Sequence, residues 1–352
     1  MDFRFTSFFL NFCKLSTIIL FFHNIFFMHN KIQSALSSSI DGISFPEAQG
    51  HHKGKVRESF ILDDARRAIV VSDRISAFDF VLGTVPFKGQ VLNQIAAWWF
   101  RKLDGIVPHH LLDVPDPNIS LVKNAQPLPV EIIVRGYLTG STKTSSWYAY
   151  QHLDRKICGI EMPEGMKKNQ KFAMPIITPT TKPTGEGEHD ENISSAEVVS
   201  RGLVDEKTWK KAQEYAMKMF TLGQKVAAEH GLILVDTKYE MGMTTEGELI
   251  VIDEVHTPDS SRYWIEETYE NRFSLGMEPE ALSKEFVRTA LVDKGYDVDD
   301  ASADPSKYLD DDLRAMAAEK YIELYERVTG ESFVFPAEGS AVKRIEWVLQ
   351  KL

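Results

Sequence analysis

The stretch Leu232-Ile-Leu-Val-Asp-Thr-Lys-Tyr-Glu-Met-Gly242 decides the architecture. Four apolar residues open it, and ionisable residues then alternate with others. Successive side chains of a strand point to opposite faces, so Asp236, Lys238 and Glu240 share one face and Val235, Thr237 and Tyr239 the other. A second apolar run, Leu249-Ile-Val-Ile-Asp-Glu-Val255, follows a short polar turn, so strands over 232–241 and 249–255 form a hairpin. A turn centred on Glu246-Gly247 sets Glu240 opposite Asp253, with Cβ atoms about 5 Å apart. Carboxylates that close repel unless a cation or proton lies between them. Hard oxygens at this spacing suit Mg2+, with substrate phosphates completing its shell. Lys238 balances the charge or reaches a phosphate. A solvated hairpin of alternating charge has the same pattern, and its register can slip. The apolar character of both strands argues instead for burial, where isolated acids are expensive.

Working outward, His256-Thr-Pro-Asp-Ser-Ser-Arg262 places Ser260, Ser261 and Arg262 at a strand end, with hydroxyls and a guanidinium suited to phosphate or carboxylate. Glu131-Ile-Ile-Val-Arg-Gly-Tyr-Leu-Thr-Gly-Ser141 is a second anion-binding candidate. Arg135 sits there on an apolar strand, Gly140 permits close backbone approach and Ser141 can donate. A structural ion pair from Arg135 to a nearby acid is the alternative. Gly54-Lys-Val-Arg57, before the first hairpin, can hold ATP phosphates at a strand edge. Ser72-Asp-Arg-Ile-Ser-Ala-Phe-Asp79 is dense in polar groups after an apolar strand. The Pro- and Gly-rich segment 175–192 reads as a long loop and a substrate lid, with Thr178 to Lys182 and Gly187 to Asn192 as its polar parts. His189, Asp190 and Glu191 could ligate a metal, but a single His without a second at ligand spacing argues against zinc. Cys158 reads as an inert thiol.

The chain has 352 residues, with 40 Lys and Arg against 51 Asp and Glu, a net charge of -11. So acidic a chain is a poor non-specific nucleic-acid binder. Two distant cysteines, Cys13 and Cys158, exclude a disulfide framework and suit a reducing cytoplasm. Residues 1–28 form an apolar leader holding nine of the 21 Phe. It reads as an anchor, a targeting segment, or upstream sequence joined to a frame that starts at Met28, so membrane contact or an organellar address would come only through it. Residues 29–50 read as a flexible lead-in. Hairpin strands mixed with long helices, such as Gln90 to Leu103 and Trp209 to His230, give an α+β fold rather than a doubly wound sheet. The segments are an α+β domain over 51–127, a larger α+β domain over 128–275 and a helical segment over 276–352 that packs on it. Neither a Walker-type phosphate loop nor a dinucleotide-binding glycine pattern occurs.

Six strings occur in one order: 54–57, 72–79, 129–141, 187–192, 235–242 and 251–262. Together they resemble the phosphoribosylaminoimidazole-succinocarboxamide (SAICAR) synthetase family from about residue 50 to 335, in its longer, yeast-like form. The most specific strings are Arg-x-x-x-Thr-Gly-Ser, 135–141, and Asp-x-Lys-x-Glu-x-Gly, 236–242. The resemblance implies a SAICAR synthase-like fold, with a small N-terminal domain covering the nucleotide and a larger domain of ATP-grasp type. It implies that ATP drives ligation of L-aspartate to the carboxylate of carboxyaminoimidazole ribonucleotide (CAIR), in purine biosynthesis, through an acyl phosphate. It gives Glu240 and Asp253 to Mg2+ and ATP, and Gly54, Lys55 and Arg57 to ATP. Arg135, Gly140, Ser141, Ser260, Ser261 and Arg262 fall to the ribotide, with Asp73 and Ser76 on a substrate loop. Asp236, Lys238, Asp190 and Lys182 fall near the reacting groups. The long form favours a monomer. Two other readings are a small-molecule kinase on a related fold, whose ADP release would not need aspartate, and an inactive binding protein, against which every acid and base of the signatures is present.

Overall fold

A computed structural model of the chain describes residues 26–78, 80–153, 155–182, 190–282, 284–298, 300 and 302–352. Most of the leader, together with Asp79, Gly187 and His189, lies outside the described residues.

Residues 26–35 form the first described helix, α1. The segment expected as a loose lead-in is therefore ordered. Ile32 is fully buried in the main core, Ile40 and Ile43 are buried beside the first sheet, and the Ile40 amide donates to Asp73 Oδ2 at 2.8 Å. Apolar residues spaced through this polar stretch carry it into the body.

Strands β1 (Gly50–Lys53), β2 (Arg57–Ile61) and β3 (Arg66–Val71) follow, then the small ribbon β4 (Arg74–Ala77) and β5 (Phe80–Thr84). Helix α2 (Lys88–Leu103) comes next, then β6 (Leu111–Asp116) and β7 (Ile119–Lys123). These form an antiparallel sheet in the order β1-β2-β3-β7-β6. The second sheet contains β8 (Gln126–Pro127), β9 (Val130–Leu138), β12 (Gln170–Thr181), β13 (Leu232–Met243), β14 (Leu249–Ile252) and β15 (Ser261–Ile265). Helix α3 (Ser146–His152) and the short pair β10 (Lys156–Ile157) and β11 (Ile160–Glu161) lie between β9 and β12. Helices α4 (Ser195–Ser200) and α5 (Glu206–Glu229) separate β12 from β13. The chain closes with α6 (Glu266–Ser274), α7 (Glu285–Asp293), a 3-10 turn at Pro305–Tyr308, α8 (Asp311–Thr329) and α9 (Ala341–Leu349).

β13 is the hub. Its first part pairs with β15, its middle with β9, and its end with β14 and β8. A bulge interrupts the β15 ladder between Leu234 and Asp236. Leu232 and Leu234 face the main core before it, Tyr239 and Met241 after it, so the extra residue Val235 switches the facing parity. Asp236, Lys238 and Glu240 are thereby turned away from the main core. Behind the strand, α5 buries Trp209, Ala212, Ala216, Met219, Phe220 and Gly223 at helical spacing. A Cβ on Gly223 would fall 2.5 Å from His256 Cε1 and 2.6 Å from Leu234 Cδ2, so only glycine lets α5 approach this closely.

Three expectations change here. The loop expected over 175–192 is edge strand as far as Thr181, where Pro175 and Pro179 are tolerated because β9 is the only strand that pairs with β12 among the described residues. The turn between β13 and β14 spans Thr244 to Glu248, with the Thr244 amide donating to Glu248 O, and the register pairs Glu240 with Ile252 rather than with Asp253. The C-terminal segment divides: α8 joins the main core together with α2, whereas α9 packs Ile345 and Leu349 on Phe60, Ala68 and Val70 of the first sheet. Arg344 fastens α9 there through Asp116 at 2.7 Å and Asn118 at 2.8 Å.

Candidate active site

Two cavities meet above the face of β13 that carries Asp236, Lys238 and Glu240. The larger, about 650 Å³, lies between the first sheet and β13-β14. Gly54, Lys55, Arg57 and Ser76 line one side of it, and Lys182, Asp190, Lys238, Glu240 and Asp253 the other. The smaller, about 190 Å³, is lined by Arg135, Asp236, Lys238, Ser260, Ser261 and Arg262, with Thr142, Thr144 and Ser145. Lys238, Asp259, Lys284 and Arg288 line both, so the cavities form one cleft.

In the larger cavity charges are interleaved. Lys238 Nζ donates to Glu131 Oε1 at 2.6 Å and to Glu240 Oε1 at 2.8 Å, and Lys182 pairs with the second Glu240 oxygen. Burial alone would raise Glu240, but Lys238 and Lys182 outweigh it and hold the carboxyl well below the usual range. Asp253 goes the other way. Burial pushes it up to about 6, the Glu240 charge adds to this, and Arg57 at 3.1 Å opposes it. Arg57 also pairs with Glu254. Asp253 comes just after β14 and has a left-handed backbone, φ 67°. That local turn, not the ladder, brings it into the cavity of Glu240.

In the smaller cavity Asp236 lies between two guanidiniums from the flanking strands. Arg262 Nη1 is 2.5 Å and Arg135 Nη1 3.5 Å from Asp236 Oδ2. Arg135 also donates to Thr178 Oγ1 and to Thr144 O. The structural ion pair weighed for Arg135 is thus present, inside the cavity that the anion reading required. Arg262 Nε and Arg288 Nε are buried without a hydrogen-bond acceptor, as expected of donors built for an anionic ligand. Gly140 has φ 97°, and a Cβ there would fall 2.5 Å from Ser145 Cβ and 3.2 Å from Arg262 Nη2. It backs the site without lining it.

Two expected site residues stand elsewhere. Asp73 is buried outside the cleft and spends both carboxylate oxygens on backbone amides, of Ile40 and of Gly89 at the start of α2. In this structure its carboxylate caps the start of α2. Ser141 is exposed and lines neither cavity; Thr142, Thr144 and Ser145 take that side. Cys158 is pushed up to about 12 by burial, consistent with an inert thiol. Sequence reading missed Glu131, Asp259, Lys284 and Arg288. Alternation along β9 puts Glu131 and Arg135 on one face, and Lys284 and Arg288 are a helical turn apart, so both signals were present.

The donor set tests the implied cation. No cluster of three or more His, Cys, Asp or Glu forms among the described residues. Two hard carboxylates facing one cavity among lysines fit Mg2+, which takes one or two carboxylates and completes its shell with phosphates and water.

A sheet hub that joins an acid-and-amine chamber to a guanidinium-lined one suits a protein that handles phosphates and carboxylates. Comparison with known proteins narrows this. A family model described as SAICAR synthetase matches residues 50–304. A phosphoribosylaminoimidazole-succinocarboxamide synthase of Legionella pneumophila (strain Paris) is 47% identical over 296 residues, covering 83% of this chain and 91% of that protein. A chloroplastic synthase of Vigna aconitifolia is 45% identical over 257 residues, covering 73% and 74%. A solved SAICAR synthase from Saccharomyces cerevisiae, complexed with SAICAR, superposes with a TM-score of 0.72 at 31% identity, over 84% of this chain and all of that one. The chain belongs to the SAICAR synthetase family. It is an ATP-dependent ligase that joins L-aspartate to CAIR in purine biosynthesis, with a SAICAR synthase-like fold; the kinase reading is not favoured.

Proposed function

We propose that the two cavities divide this reaction between them. The larger one takes ATP, with Gly54, Lys55, Arg57 and Lys182 around its phosphates. Glu240 and Asp253 would hold Mg2+, which supplies charge neutralisation on the phosphates. Arg135, Arg262 and Arg288, with Ser260 and Ser261, take the ribotide phosphate in the smaller cavity, and Asp236 keeps two of the guanidiniums aligned. The observation that carries this reading is the shared wall of Lys238, Asp259, Lys284 and Arg288, where a ribotide carboxylate and a terminal phosphoryl group can meet.

A carboxylate is a poor acyl donor. In the proposed sequence a CAIR carboxylate oxygen attacks the γ-phosphorus and ADP leaves. The aspartate amine then attacks the acyl carbon, the carbon–oxygen bond to phosphate breaks, and phosphate leaves with the electron pair while the amine loses a proton. Lys238 and Lys284 hold negative charge on the group in transit. CAIR labelled with 18O in its carboxylate tests this. One labelled oxygen should appear in the released phosphate; unlabelled phosphate refutes the acyl phosphate.

The partners in this reading are small molecules, not nucleic acid, and the chain acts as a monomer in the cytoplasm. No helix among the described residues is long and apolar enough to cross a membrane. Sedimentation and a fluorescent fusion of the whole chain test both placements.

A further inference from the structure

Lys88, the first residue of α2, is fully buried. A buried ammonium needs a partner. Its Nζ lies 2.8 Å from Asp259 Oδ2, and Tyr321 Oη of α8 donates to Asp259 Oδ1 at 2.6 Å. The ammonium also stands 5.6 Å from the Tyr321 ring centroid. Neither Lys88 nor Tyr321 lines the cleft, whereas Asp259 lines both of its cavities. The lysine is held from behind. Asp73 Oδ1 accepts from the Gly89 amide at 2.9 Å, and a Cβ on Gly89 would fall 2.3 Å from Val71 O. On the cleft side Asp259 faces Lys284, whose Nζ stands back at 3.9 Å and reaches Ser76 Oγ at 3.4 Å. Burial above all, helped by Arg288 and Lys88 and opposed by Asp259, brings Lys284 down to about 8.

We infer that Lys88 is a positioning residue for the ligase reaction: by neutralising Asp259 from behind, it leaves the Lys284 ammonium available to a substrate carboxylate where the two cavities join. Without Lys88 the Asp259 carboxylate would draw in Lys284, its one remaining ion-pair partner within 4 Å among the described residues. The inference rests on the proposed division of the cleft.

Steady-state kinetics of full-chain variants test it. Lys88→Met should raise KM for CAIR or L-aspartate about tenfold and leave that for MgATP within about twofold. Adding Asp259→Asn should recover most of this loss, because no bare acid then competes for Lys284, whereas a merely structural lysine would not be rescued. Tyr321→Phe, which keeps Lys88, should shift the same KM in the same direction by less, and serves if Lys88→Met does not fold. Unchanged carboxylate-substrate KM in Lys88→Met, or in Tyr321→Phe where that variant must serve, overturns the inference. So does a double variant no better than the single one. Lys284→Met separates the two layers: if it leaves both KM values unchanged, the division of the cleft fails; if it raises them while Lys88→Met does not, only the role of Lys88 fails.

Discussion

Glu240 pairs in the ladder with Ile252, yet the acid it acts on is Asp253, one residue further along. A continued strand would have turned Asp253 to the opposite face. The left-handed backbone at Asp253 re-aims it, so both carboxylates enter the large cavity. A non-glycine residue in that conformation stores strain of about 1–3 kcal/mol, which the fold accepts in order to bring two acids together.

Glu240→Gln and Asp253→Asn should each lower turnover by about a hundredfold or more, since each removes a group that acts on the transferring phosphoryl charge. Circular dichroism should show both variants folded. Full activity in both would remove the Mg2+ assignment.

Arg135→Ala should raise KM for CAIR far more than KM for ATP, because Arg135 lines the small cavity and not the large one. Asp236 keeps Arg262, but Thr178 Oγ1 and Thr144 O lose their donor, so a stability loss of about 1–3 kcal/mol should accompany it in thermal melts. Equal effects on both KM values would contradict the placement.

Asp73 and Asp253 give a pH dependence of known sign. Burial raises each from 3.8 to about 6. The folded state therefore binds protons more tightly than the unfolded one, and stability falls as pH rises from about 4 to 6, by on the order of 2 kcal/mol for each group. Melts of the ligand-free protein should show this loss against the gain that other carboxylates give. MgATP binding should weaken as pH falls through about 6, where Asp253 takes up a proton. A pH-independent MgATP affinity between 5 and 7 would count against Asp253 as a ligand.

A chain begun at Met28 should fold and be fully active, since it keeps the buried Ile32 of α1 and the packing of Met28 on the core. Ile32→Ala within it should cost about 2–5 kcal/mol. Loss of activity in the Met28-start chain would make the residues before it part of the enzyme.

Much of this was legible in the sequence, and the misses have physical causes. The apolar runs around 232–242 and 249–255 announced the hairpin because burial dictates period and composition together. Its register was misread by one because a polar loop of five residues, Thr244 to Glu248, has no signature that fixes its centre. The two acids met anyway, through a left-handed backbone that Asp tolerates better than most residues but does not by itself announce. Arg135 stands out as an oddity on an apolar strand, whereas nothing in the 256–262 string singles out Asp259. Only folding brings Lys88, Tyr321 and Lys284 around it, from helices far apart in the chain. Asp73 stands apart from the cleft because a polar residue after an apolar strand caps backbone amides as readily as it faces a cavity.

The most direct test of the account is ADP release by the purified chain with MgATP and CAIR, measured with and without L-aspartate. The account predicts release that depends on both CAIR and L-aspartate, with one SAICAR formed per ADP. Sustained release with CAIR alone, or release with both substrates but no SAICAR, would contradict it.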